Sequence, residues 1–146
     1  MADSATSDDL LEAIRRALAA EPSVQAALLF GSHARGAARP DSDIDVAVLL
    51  DVAPEPRQRT AQLRKILEAV GRELAVDRVD LVILNDAPPK LAFRALAEGR
   101  VAFTRNLEAL HRFRVRTYSR HADYEPVERF FRDATRRRAL EEAPSG

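Results

Sequence analysis

Leu28-Leu29-Phe30-Gly31-Ser32-His33-Ala34-Arg35-Gly36-Ala37-Ala38-Arg39-Pro40-Asp41-Ser42-Asp43-Ile44-Asp45-Val46-Ala47-Val48 decides how the rest of the chain is read. The apolar run Val24 to Phe30 predicts a buried strand that stops at a glycine turn, Gly31-Ser32. Ten residues later Asp43-Ile44-Asp45 opens a second run, Asp43 to Leu50, which alternates and then becomes continuously apolar, as a second strand would. Side chains alternate along a strand, so Asp43 and Asp45 project from one face while Ile44 and Val46 point to the other.

Two carboxylates about 6 Å apart repel by on the order of 1 to 3 kcal/mol at surface-like dielectrics, and Asp41 adds to the charge. A fold that keeps such a cluster needs a cation. Hard divalent ions such as magnesium take oxygen ligands and share them with substrate phosphates, so a nucleoside triphosphate is the natural complement. Gly31-Ser32 supplies the other half. A glycine turn after a strand exposes backbone N–H groups at the start of a short helix, expected over Ser32 to Ala38, where they and the Ser32 hydroxyl can hold phosphates. Arg35, one turn further, is expected to reach the same anion. The chain lacks G-x-x-x-x-G-K-[ST] and so has no P-loop.

Further along, Asp80 interrupts the apolar stretch Val79 to Leu84, a third strand expected beside the second. Its carboxylate is placed to take a proton from an attacking hydroxyl. Leu10, Leu11, Ile14 and Leu18 follow Ser7-Asp8-Asp9 as the apolar face of a capped helix. Leu63, Ile66, Leu67, Val70 and Leu74 mark a second helix of about five turns. Pro88-Pro89 begins a short helix that Gly99 ends, and Arg100 to Phe103 makes a brief strand. From Asn106 the chain reads as helical, with a boundary or kink near Glu125-Pro126 and Asp123 or Glu125 capping the second piece. The fold class is therefore α/β, a small mixed sheet with flanking helices and a helical C-terminal extension, divided as a core over 1–104 and an extension over 105–146 packed on the same domain.

With 146 residues the chain has the length of one domain. Cysteine is absent, which removes disulfides, thiolate nucleophiles and cysteine metal sites. No apolar run approaches the roughly 20 residues of a membrane helix, and Met1-Ala2-Asp3-Ser4 does not open like a signal peptide, so a cytoplasmic protein is expected. Twenty-three basic and twenty-three acidic residues cancel, arguing against strong nucleic-acid binding. The tail from Arg105 carries ten Arg against seven Asp or Glu, including the run Arg136-Arg137-Arg138 at a helix end. His33, His111 and His121 lack the spacing of a metal site.

Gly31-Ser32, then Asp43-Ile44-Asp45, then Asp80, resembles the G-S-x10-D-x-D plus third-aspartate pattern of the polymerase-β nucleotidyltransferase superfamily, most closely over Gly31 to Leu84 and, in length, its minimal members (MNT proteins). The tail, with Tyr118, Asp123-Tyr124-Glu125-Pro126 and its Arg-rich end, is similar to the MntA-type antitoxins. What the resemblance implies is a polymerase-β-like fold that moves AMP from ATP to a tyrosine of a partner HEPN-domain toxin. It also implies two Mg2+ ions, or Mn2+, on Asp43, Asp45 and Asp80, and nucleotide binding at Gly31, Ser32 and Arg35. The alternatives are transfer to a small hydroxyl compound such as an aminoglycoside, for which the chain has little spare length, and an antitoxin that acts by contact alone. A pure binder, however, has no use for the electrostatic cost of the aspartates.

Overall fold

The computed structural model of the chain describes residues 6–39, 41–76 and 78–142. The side chains at 124–133, 135 and 137–142 lie outside the described residues, and with them the readings placed on Tyr124, Phe130, Phe131, Arg137 and Arg138.

The elements follow in the order α1 (Ser7–Ala19), β1 (Val24–Phe30), α2 (Gly31–Ala34), β2 (Ile44–Leu50), α3 (Pro56–Leu74), β3 (Val79–Ile83), a 3-10 turn (Leu84–Asp86), α4 (Pro89–Glu98), β4 (Arg100–Thr104) and α5 (Leu107–Glu142). The sheet order is β3-β2-β1-β4, with β1 antiparallel to β2 and β4, and β2 parallel to β3. A parallel pair needs a crossover, and α3 provides it.

The sheet is covered on both sides. Leu10, Ile14 and Leu18 of α1 pack with Ile66 and Val70 of α3 against Leu29, Val46 and Val48. Ala92 and Leu96 of α4 pack with Leu110 of α5 against Leu28, Phe30, Ala47 and Leu49 on the other face. Burial on two faces explains why β1 and β2 are apolar almost throughout. Each large side chain so enclosed contributes about 1.5 to 3 kcal/mol. At the far end of β2 the Asn85 side chain imitates a strand neighbour, accepting from Leu50 N at 2.8 Å and donating to Leu50 O at 2.9 Å.

Helix ends follow local chemistry. Thr6, not Ser7, caps α1, and its hydroxyl and the Asp9 carboxylate satisfy each other's backbone N–H. Ser7 is thereby free to donate to His33 O at 2.6 Å, fastening α1 to α2. Pro56 opens α3 and Pro89 opens α4, where their missing N–H is not needed. Asn106 accepts from Ala109 N at 3.0 Å and so caps α5.

Two expectations are corrected. The helix after Gly31 does not reach Ala38: Gly36 has φ +71°, and Ala37 N donates to Ser32 O at 2.9 Å, a Schellman closure that stops α2 after one turn. Nor does the tail break at Glu125-Pro126. Helix α5 runs unbroken over 36 residues, so there is no second piece for Asp123 or Glu125 to cap. Pro126 withdraws one N–H from the ladder without ending the helix. No helix among the described residues is long and apolar enough to cross a membrane.

Candidate active site

The site is built where β1, β2 and β3 reach the same end of the sheet. Asp45 is in register with Phe30 on β1 and with Asp80 on β3. Residues in register share a face, and Phe30, Ala47 and Val82 show it to be the face covered further along by α4 and α5. Asp45 and Asp80 are thus neighbours on adjacent strands. Asp43 stands just outside β2, exposed, with Ile44 buried between it and Asp45.

Burial pushes the Asp45 carboxyl above its ordinary value, and the charges of Asp80 and Asp43 push it the same way. The charges of Arg94 and His33 act in the opposite direction. Arg94 belongs to α4 and its Cζ lies 6.0 Å from the centroid of the Phe30 ring.

Gly31 forms the floor beside these acids. Its φ is +72°, and a Cβ there would stand 3.0 Å from Asp45 Cγ and would overlap the carboxylate oxygen Oδ2. Only glycine meets both conditions. The turn that follows, with the half-buried Ser32, is braced from behind. Arg39 N donates to Ser42 Oγ at 2.8 Å, Ser42 N donates to Arg39 O at 3.0 Å, and His33 Nε2 lies 3.3 Å from Ser42 O. The chain is thereby returned into β2 with Asp45 beside Gly31.

Of the residues singled out in the sequence, Gly31 lies against Asp45 and Asp45 is in register with Asp80, while Asp43 stands two residues before Asp45 and Ser32 follows Gly31. Arg35 is turned toward α4, its Nη1 3.0 Å from Glu98 Oε2. Arg94 was not foreseen, because its place depends on how α4 crosses β1, which no local pattern encodes. Tyr118 packs edge-on against Phe93, centroids 5.3 Å apart, while His121 stacks on the same ring at 3.6 Å, so both join α5 to α4. Among the described residues no group of three or more histidine, aspartate or glutamate side chains is placed to hold a metal ion. A cavity of about 610 Å3 behind α2, bordered by His33, Arg39, Ser42 and Arg78, has no acid in its lining and is separate from the aspartates.

The arrangement is a glycine turn beside paired carboxylates, and comparisons with known proteins bear on the family. The family model for polymerase beta nucleotidyltransferases matches residues 12–108. A chain of a toxin–antitoxin crystal structure with AMP-PNP is 25% identical, with a TM-score of 0.69 over 86% of this chain and 97% of that one. A chain of a mutant MntA toxin–antitoxin complex is 26% identical, with a TM-score of 0.63 over 82% of this chain and 92% of the other. The complex of a tri-AMPylated Shewanella oneidensis HEPN toxin with its MNT antitoxin holds a chain of the same fold, 21% identical, with a TM-score of 0.62 over 88% and 95%. No curated protein matches. With its glycine turn, its aspartates in register and the family model spanning the whole sheet, the chain belongs to the polymerase beta nucleotidyltransferase family.

Proposed function

We propose that this nucleotidyltransferase moves AMP from ATP to a tyrosine hydroxyl of a HEPN-domain toxin, neutralising it in the cytoplasm as an antitoxin. The observation that carries the chemistry is the register pair Asp45–Asp80 beside the Gly31 turn. The acceptor is suggested by the similar structures, which include one with AMP-PNP and one with a tri-AMPylated HEPN toxin.

In this reading the backbone at Gly31 and the Ser32 hydroxyl hold the β- and γ-phosphates. Asp43 and Asp45, with Asp80, hold two divalent ions. Asp45 and Asp80, in register on adjacent strands, would supply the one or two carboxylates that magnesium normally takes, with phosphate oxygens supplying the rest. Bound magnesium, or manganese, would neutralise the triphosphate and make the α-phosphorus a better electrophile. Asp80 accepts the phenolic proton as the tyrosine oxygen bonds to the α-phosphorus. The bond from that phosphorus to the bridging oxygen breaks, and pyrophosphate leaves. Arg35 exchanges Glu98 for phosphate, an inexpensive swap because an exposed ion pair is worth about 0 to 1 kcal/mol. The 105–146 extension, with its excess of Arg, offers the acceptor a docking surface.

The test is to incubate the protein, ATP and magnesium with the HEPN toxin and to map the toxin by mass spectrometry. One or more AMP groups on tyrosine are expected; an unmodified toxin, or AMP on another residue type, would overturn the acceptor assignment.

A further inference from the structure

Arg94 is the charged group nearest the aspartates for which no part has yet been given. Its position is fixed from two directions. Phe30, Asp45 and Asp80 form one row across β1, β2 and β3, and the Arg94 guanidinium sits over the Phe30 end of that row. Adjacent strands are about 4.8 Å apart, so Arg94 flanks Asp45 on the side away from Asp80. Glu98 lies one helical turn after Arg94 and therefore on the same side of α4. Because Glu98 binds Arg35 at the end of α2, that side of α4 faces the Gly31-Ser32 turn.

Arg35, at the end of α2, is occupied by Glu98. Arg94 is exposed, and among the described residues no carboxylate lies within ion-pair distance of it. The aromatic ring beneath steadies the guanidinium without neutralising it. A planar, permanently charged fork held beside a phosphate turn suits two nonbridging phosphate oxygens at once.

We infer that Arg94 is a triphosphate-binding residue, its guanidinium donating to nonbridging oxygens of the nucleotide on the β1 side of the site. The inference rests on the nucleotidyl-transfer reading above. It divides the site into a cationic flank on α4 for the triphosphate and an anionic flank on β2 and β3 for the metal ions.

Titration of the full chain with AMP-PNP and magnesium, and separately with Mn2+ alone, tests this. Arg94→Ala is at an exposed helix position where alanine is the best helix former, so the fold survives. It is expected to weaken AMP-PNP binding by about ten- to a hundredfold, the value of a charge-assisted hydrogen bond, and Arg94→Lys should recover part of the loss. Mn2+ alone should bind as well or better, since a competing cation beside Asp45 is gone, a sign that a merely structural role would not produce. If wild type binds AMP-PNP and Arg94→Ala matches it within about twofold, the inference fails while the proposed function stands. If wild type itself does not bind AMP-PNP, the proposed function fails and this inference with it.

Discussion

The Gly31 Cα lies directly against the Asp45 carboxylate, so closely that a Cβ on Gly31 would overlap Oδ2 and stand 3.0 Å from Cγ. The turn proposed to hold phosphate and the acid proposed to hold metal are thus in contact across β1 and β2. A side chain added at Gly31 must therefore move the Asp45 carboxylate.

Gly31→Ala should therefore lose activity and stability together. The left-handed φ of +72° costs an alanine about 1 to 2 kcal/mol, and the overlap with Asp45 must be relieved by moving its carboxylate. Nucleotidyl transfer is expected to fall by at least about tenfold, with a lower melting temperature. Near-native transfer by a folded Gly31→Ala protein would show that the contact does not position Asp45.

Asp45→Asn should have the opposite effect on stability. Burial, aided by Asp80 and Asp43, raises the Asp45 carboxyl in the folded protein, so the folded state holds that proton more tightly than the unfolded chain. Stability contributed this way is full below the ordinary carboxylate value and is lost as pH rises through the raised one. At neutral pH, without metal or nucleotide, the Asn variant should melt higher than wild type, and the difference should shrink in acid. A lower melting temperature at neutral pH would mean that the cluster is not strained.

Asp80→Asn and Ser32→Ala should separate catalysis from binding. Asp80→Asn spares Asp43 and Asp45 and removes the proposed base, so turnover should drop more than ATP affinity. Ser32→Ala removes one charge-assisted hydrogen bond, about 1.5 to 3 kcal/mol, while backbone donors remain. It should be milder than Asp43→Ala, which deletes a metal ligand. Rates at low and saturating ATP distinguish these cases, and equal effects of all three variants would contradict the roles assigned.

Truncation before Asp123 tests the extension. It leaves Leu110, Phe113, Thr117 and Tyr118 packed and every proposed catalytic residue in place. Circular dichroism should show a folded protein that modifies the toxin less efficiently, the loss appearing at low toxin concentration. Full efficiency in a folded truncation would remove the distal half of α5 from the docking surface.

Much of this site could be read from the sequence because its parts are local. The turn at Gly31 and the alternation Asp43-Ile44-Asp45 need only strand periodicity, and Asp80 stands out as the acid in an apolar strand. That β3 pairs parallel to β2, placing Asp80 opposite Asp45, follows from the crossover through α3. The features that escaped depend on distant partners or on a competition between local signals. Arg94 gains its place from the packing of α4 over Phe30, and Arg35 meets an acid 63 residues away. Gly36 shortens α2, where the sequence suggested a longer helix, because a left-handed residue outweighs the alanines after it. At Pro126 the helix continues despite the proline.

The most direct test of the proposed chemistry is the fate of the α-phosphate. ATP labelled at the α-phosphate, and separately at the γ-phosphate, is incubated with the protein, magnesium and the HEPN toxin. Transfer of AMP places the α label on the toxin and releases the γ label as pyrophosphate, and both should vanish with Asp45→Asn. Gamma label on the toxin, or α label transferred undiminished by Asp45→Asn, would contradict nucleotidyl transfer at this site.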